Sequence, residues 1–274
     1  MKKLAIILVI LLAVLSIFSA VMAEDTVRVG TDAMWPPFEM VDENTKELTG
    51  FDVELMQYIA DKEGFKVEFV NQAFDSIVPG VGTCQYDAAI SAITITDERA
   101  KAMSFSDPYF TDGQIVTVKE GNESLNTKDA LKGKTIGCQT GTTGAIMAQD
   151  WEKEGSVKYK GYETVDLAFF DLKNGQIDAV LSDQTLAKAY TEKLGGMVQV
   201  GDLYSSESYG IAVCKTNADL LKKINDGLAQ SKADGTWDKL YAKYFSSTET
   251  STATPEAAAD SAATTEEATA TAAK

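Results

Sequence analysis

Between residues 24 and 245, short apolar runs alternate with segments whose apolar residues recur every three or four positions. Residues 27–29 form a short strand ending in Gly30-Thr31-Asp32. Residues 51–62 place Leu55, Met56, Ile59 and Ala60 at helical spacing, and Gly64 follows as a stop. A strand over 66–70, a short helix over 76–82 and a strand over 87–92 come next. Thr96 before Asp97 and Glu98 predicts a helix start, since the hydroxyl can cap free amides and acids suit the positive helix end. Further strands are expected over 134–138, 157–159, 178–182 and 209–215. Further helices are expected over 142–153, 164–174, 186–194, 218–232 and 237–245. Strands alternating with helices predict mostly parallel sheets covered on both faces.

An internal echo runs through this pattern. Gln85-Tyr86-Asp87-Ala88-Ala89-Ile90-Ser91 resembles Gln176-Ile177-Asp178-Ala179-Val180-Leu181-Ser182. Each opens a strand with Asp-Ala and ends in polar residues. Two similar α/β lobes would result, each delivering polar groups from strand carboxyl ends, where open α/β sheets bind ligands.

The two ends differ from this middle. Lys2-Lys3, an apolar run over 4–21 and Val21-Met22-Ala23 before Glu24 read as a secretory leader cleaved after Ala23. An uncleaved anchor is the alternative. Residues 246–274 have no aromatic or large aliphatic side chain and read as a disordered tail. Asn122-Glu123-Ser124 matches a glycosylation sequon in a polar stretch.

Composition narrows the chemistry. The chain has no histidine, which removes Ser-His-Asp and Cys-His catalysis and histidine metal ligands. The net charge of −16, or −18 once Lys2 and Lys3 leave with the leader, argues against nucleic acid. No C-x-x-C occurs among Cys84, Cys138 and Cys214. Cys138 and Cys214 lie in apolar runs, so buried free thiols are expected rather than a bridge. No metal and no cofactor is implied.

Four segments could carry function. Arg99 falls in the first turn of the helix after Thr96, where the helix dipole disfavours a cation. Either it pairs with Asp97 or Glu98 at the surface, or its guanidinium is aimed at an anion. Gln139-Thr140-Gly141-Thr142-Thr143-Gly144 joins a strand to a helix start, an anion-binding geometry that is neither a Walker motif nor a dinucleotide fingerprint. Asp183 at a strand end is either a helix cap or a partner for an ammonium group. The run from Asp32 to Phe38 holds Pro36 and Pro37, which predict an extended loop, with one of Trp35 and Phe38 in the core.

At these residues a resemblance emerges. VGTDAMWPPFE (29–39), GFDVEL (50–55), FDSIVPGV (74–81), YDAAISAITITDERAKAMSFSDPYF (86–110), GTTG (141–144) and YGIAV (209–213) resemble the family-3 periplasmic solute-binding proteins of polar amino-acid ABC transporters. The resemblance implies an α/β, type II periplasmic-binding-protein fold of two lobes with a ligand cleft between them. One lobe would comprise residues 24–112 and 209–245, the other 113–208, with hinge crossings near Asp112-Gly113 and Ser208-Tyr209. By the same resemblance Arg99 holds the ligand carboxylate, with Ser91, the Ala92 backbone, Thr94, Thr142 and Thr143. Asp183 takes the ammonium, Trp35 and Phe74 flank the side chain, and Asp32 and Gln139 set specificity.

The implied function is a non-enzymatic, monomeric carrier that delivers an amino acid to a membrane permease. A lyase or dehydratase on the same fold would need a general acid kept protonated in a dry pocket. A sensory ectodomain would need a separate signalling partner. Asp32 and two aromatic walls favour arginine, then lysine or ornithine, with glutamine as runner-up.

Overall fold

The computed structural model describes residues 25–246. The leader expected over 1–23 and the tail expected from 246, Ser246 excepted, lie outside the described residues.

The protein is a two-lobed α/β molecule with one five-stranded sheet in each lobe. The first sheet has the order β5 (Lys66–Asn71), β1 (Thr26–Thr31), β6 (Ala88–Ala89), β15 (Ala212–Cys214), β7 (Met103–Phe105). The second has the order β11 (Lys158–Tyr162), β10 (Thr135–Gln139), β12 (Ala179–Asp183), β9 (Gln114–Lys119), β13 (Met197–Val200). In each, the second strand in this order (β1 or β10) is flanked by parallel neighbours that the chain reaches through helices. These are α1 (Phe51–Glu63) and α2 (Phe74–Gly82) in the first lobe, and α4 (Thr143–Lys153) and α5 (Val165–Lys173) in the second. Helix α3 (Asp97–Ala102) precedes β7, α6 (Gln184–Leu194) packs on the second sheet, and α7 (Ala218–Ala233) and α8 (Thr236–Phe245) cover α1.

The sheets are less parallel than expected. β9 pairs antiparallel with β12 and β13, and β15 pairs antiparallel with β6 and β7. The cause is the double crossing. β9 and β15 are the strands with which the chain enters a sheet from the other lobe, so they run against the strands built by helical crossovers. The crossings themselves are β8 (Phe110–Asp112) and β14 (Glu207–Tyr209), which pair antiparallel with Glu207 opposite Asp112.

The echoed Asp-Ala motif has a structural cause. Asp87 Oδ2 accepts the amide of Arg28 at 2.8 Å, and Asp178 Oδ2 accepts the amide of Thr135, also at 2.8 Å. Each aspartate fixes the register of its strand against its parallel neighbour, β1 or β10.

Two local expectations are corrected. Cys84 and Cys214 form a disulfide across 130 residues, with Cα atoms 5.0 Å apart, while Cys138 is a buried free thiol. Insertion of β15 beside β6 brings its terminal residue under the turn that follows α2, a proximity no local pattern reveals. The Pro36-Pro37 pair is the turn of a hairpin between β2 (Met34–Trp35) and β3 (Glu39–Val41), not an extended loop. Phe38 is fully buried among Phe51, Phe110, Tyr209 and Phe245, which pack where the lobes join.

Candidate functional site

Four strand ends face one another between the lobes. β1 hands over to Asp32 and β6 to Ser91 and Ala92, while β10 ends on Gln139 and β12 on Asp183. All are carboxyl ends, where the chain turns and its polar groups point out of the sheet.

Arg99 comes from the first turn of α3. Its amide bonds the Thr96 hydroxyl at 3.2 Å, so Thr96 caps this helix as expected. The guanidinium turns inward: Nη1 donates to the Thr94 carbonyl at 2.8 Å and Nη2 to the Gly141 carbonyl at 3.0 Å. Glu98 pairs with Lys101 instead, at 2.5 Å, so Arg99 adopts the inward reading and not the surface one. The Phe74 ring lies 5.5 Å from its Cζ. Burial pulls its pKa below the ordinary value, opposed by the negative charges of Asp183 and Glu207.

Asp32 is buried beside this arginine's aromatic wall. Its Oδ2 accepts from Gln139 Nε2 at 2.6 Å and from the Phe74 amide at 3.1 Å. Neither donor carries charge, and burial pushes the carboxyl up to about 6. Trp35 donates its Nε1–H to Gln139 Oε1 at 2.7 Å, and its ring is 6.1 Å from that of Phe74. Gln139, from the second lobe, thus clasps two first-lobe groups. Tyr190 on α6 adds a bond from its hydroxyl to the Met34 carbonyl at 2.9 Å.

Thr142 and Thr143 do different work. The Thr142 hydroxyl accepts the Ala145 amide at 3.0 Å and donates to the Gln139 carbonyl at 2.8 Å, so it is the N-cap of α4. The Thr143 hydroxyl faces the cleft and donates to Glu207 Oε2 at 2.8 Å. Asp183 precedes α6 but its side chain caps no amide there; it accepts from Gln114 Nε2. Burial, then the charges of Asp112 and Glu207, hold its carboxyl well above the usual range.

Glu207 was not expected. It sits on the hinge strand β14 and also accepts the Thr94 hydroxyl at 2.7 Å, on the same oxygen as Thr143, while Oε1 accepts Ser205 Oγ at 2.7 Å. One carboxylate therefore gathers a hydroxyl from each lobe. A cavity of about 560 Å³ lined by Thr94, Thr96, Thr143, Glu207 and Ser208 lies against this cluster. Nothing in Ser206-Glu207-Ser208 distinguishes this acid from its many exposed counterparts, and Gln114 was missed for the same reason.

The charge balance is one-sided. Among the described residues the buried acids are Asp32, Glu39, Asp52, Asp112, Asp183 and Glu207, and Arg99 is the one buried base. A cleft of this kind favours a cation, because carboxylates held out of water need a counter-charge. It also links stability to pH. Asp32 and Asp52 are each raised to about 6, so the folded protein binds protons more readily than the unfolded chain. Stability from these groups is complete below the unfolded carboxyl range and is lost as pH rises through about 6. Thermal melts without ligand should give a midpoint several degrees higher near pH 5 than near pH 7.5; a midpoint that falls on acidification over that window would contradict the assignment.

Known proteins share this fold and much of this sequence. The ABC transporter arginine-binding protein 1 of Escherichia coli (strain K12) is 37% identical over 251 residues, covering 89% of this chain and 99% of that protein. An ancestral arginine-binding protein bound to arginine has a TM-score of 0.77 at 45% identity, covering 81% of this chain and 99% of that one. The ancestral protein bound to glutamine gives a TM-score of 0.76 at the same identity, with 81% and 98% covered. An ancestral amino acid-binding protein described as a precursor of cyclohexadienyl dehydratase has a TM-score of 0.74 at 38% identity, with 82% and 97% covered. The model of the bacterial extracellular solute-binding proteins, family 3, matches residues 27–247. With strand ends of both lobes meeting around Arg99 and Asp183, and that match running from within β1 through α8, the chain belongs to family 3 of the bacterial extracellular solute-binding proteins.

Proposed function

We propose that the protein captures a basic amino acid outside the cytoplasmic membrane and delivers it to an ABC permease. Arg99 receives the α-carboxylate, together with Thr94, Thr143 and the Ser91 backbone; Asp52 takes the Ala92 amide, which leaves the Ala92 carbonyl for the α-ammonium. Asp183 receives the α-ammonium. Trp35 and Phe74 flank the side chain, and Asp32 meets its cationic end. Thr142 acts only by fixing the first turn of α4. Residues 24–112 and 209–245 make one lobe and 113–208 the other, with β8 and β14 as the hinge, and the protein works as a monomer.

The observation that carries the reading is Asp32, a buried carboxylate beside two aromatic rings with only neutral donors. Arginine answers each of these features, since its guanidinium stacks on rings and pairs with a carboxylate through two N–H groups. Lysine and ornithine follow. Glutamine is next, because its amide can donate to Asp32 without a charge. Aspartate and glutamate would bring a second carboxylate to a cleft whose one base is already engaged.

A thermal-shift panel of the twenty amino acids tests this. Arginine should stabilise most, and Asp32→Asn should weaken arginine by at least about 30-fold, the effect of stranding a buried charge. Strongest stabilisation by glutamate or by a small aliphatic amino acid would overturn the reading. Product formation from any of the panel would favour the dehydratase-like alternative.

A further inference from the structure

Beneath the cleft lies a pair of carboxyl groups that the binding reading does not use. Glu39 is on β3, opposite Trp35 in the hairpin, and Asp52 is the second residue of α1. Both are fully buried. Gly50 makes their approach tight: its φ is 132°, and a Cβ there would fall 2.1 Å from the Phe38 carbonyl. α1 therefore starts pressed against β3.

Each acid reaches upward to a cleft residue. Glu39 Oε1 accepts the Ser91 hydroxyl at 2.6 Å, and Ser91 Oγ in turn accepts the Asp32 amide at 3.1 Å. Asp52 Oδ2 accepts the Ala92 amide at 2.9 Å and the Tyr109 hydroxyl at 2.7 Å. Ala92 has φ of 44°, in the left-handed region that a residue with a Cβ seldom occupies. Such a conformation persists where its surroundings hold it, and the bond to Asp52 is what holds it.

The two remaining oxygens, Glu39 Oε2 and Asp52 Oδ1, are buried with no donor among the described residues. The two side chains bear on one another, and Tyr109 and Asp32 are the other titratable groups acting on them. Two carboxylates cannot both keep their charge in a dry site without donors. One proton between them satisfies both oxygens. Burial and the neighbouring Asp52 raise Glu39 well above the usual range, whereas Asp52 rises to about 6. Asp52 Oδ2 accepts two donors and lies in the first turn of α1, whose positive end favours an anion, whereas Glu39 Oε1 accepts one hydroxyl, so the charge rests on Asp52 and the proton on Glu39.

We propose that Glu39 and Asp52, joined by one shared proton, are positioning residues that hold Ser91 and Ala92 in the orientation the cleft uses. The proposal rests on the amino-acid reading for its binding readout, but its chemistry can be judged separately. In Glu39→Gln the amide N–H replaces the shared proton and the amide oxygen still accepts Ser91. In Glu39→Leu both links are lost.

The experiment combines calorimetric titration with arginine and infrared spectroscopy at neutral pH. The unsubstituted protein should show carbonyl absorption from buried protonated carboxylic acids, Asp183 among them, and Glu39→Gln should lose the component that belongs to Glu39. Glu39→Gln should bind arginine within a few-fold of the unsubstituted protein, while Glu39→Leu should weaken binding on the order of 10- to 100-fold, the worth of a bond to a charged group. Equal binding by the Leu and Gln variants, or an acid absorption unchanged in Glu39→Gln, would overturn the proposal. Should Glu39→Leu fail to fold, the band and the Gln rescue still decide it. Failure of the unsubstituted protein to bind arginine counts against the amino-acid reading alone, and the band then judges the pair.

Discussion

Arg99→Ala is expected to abolish measurable capture of an amino acid while leaving the fold intact. Arg99 is 8% exposed, and its guanidinium is already oriented by the Thr94 and Gly141 carbonyls. A carboxylate arriving there meets a cation whose geometry is set before contact, so little ordering cost accompanies binding. Losing one partner of a desolvated charge pair costs about 2–5 kcal/mol, a weakening from roughly 30-fold to several thousand-fold. Arg99→Lys should not rescue it, because a single ammonium cannot hold both carbonyls and also present a planar fork. The core of neither lobe includes Arg99, so far-UV circular dichroism should be unchanged. A dissociation constant for arginine unaltered by Arg99→Ala would remove it from the site.

The second large effect is expected at the disulfide. Replacing Cys84 and Cys214 together by serine should lower stability by about 2–4 kcal/mol, below the near-5 kcal/mol ceiling that chain-entropy reasoning sets for so long a loop. For a chain of this size that is a fall in melting midpoint of roughly 5–15 °C. The bridge joins the end of α2, which carries Phe74, to the strand with which the chain returns to the first lobe. Cys84 is exposed, so a thiol reductant should reproduce the double substitution. Identical melting curves with and without reductant, checked by thiol counting, would contradict this.

Much of the fold was legible because helices and helix-linked strands leave periodic patterns. The segment that became α1 and the Asp-Ala strands β6 and β12 were all visible. β8 and β14, three residues each, are too short for any period to register. β9 is an apolar run, but a template of strands linked by helices assigns no place to a strand that arrives from the other lobe. At the site, Arg99 and Asp183 were legible because each follows a strand end in a recognisable setting. Their partners were not. Glu207 and Gln114 meet them only through burial beside residues far away in sequence, and an acid destined for the interior is written with the same letter as one destined for water.

The ribbon formed by β8 and β14 has a consequence for affinity itself. Gly113 follows β8 so closely against the Ser205 carbonyl that a Cβ would stand 2.1 Å from it. The two crossings therefore touch backbone to backbone, and neither can bend without the other. If the lobes interconvert between separated and apposed arrangements, this shared ribbon sets the equilibrium between them. Observed affinity is then the intrinsic affinity of the apposed arrangement scaled by its fractional population. Moving that population from about one in a hundred to ninety-nine in a hundred requires a ligand preference near ten-thousand-fold. A change at the ribbon, out of reach of any ligand atom, can thus retune every ligand by one common factor and leave their ranking untouched.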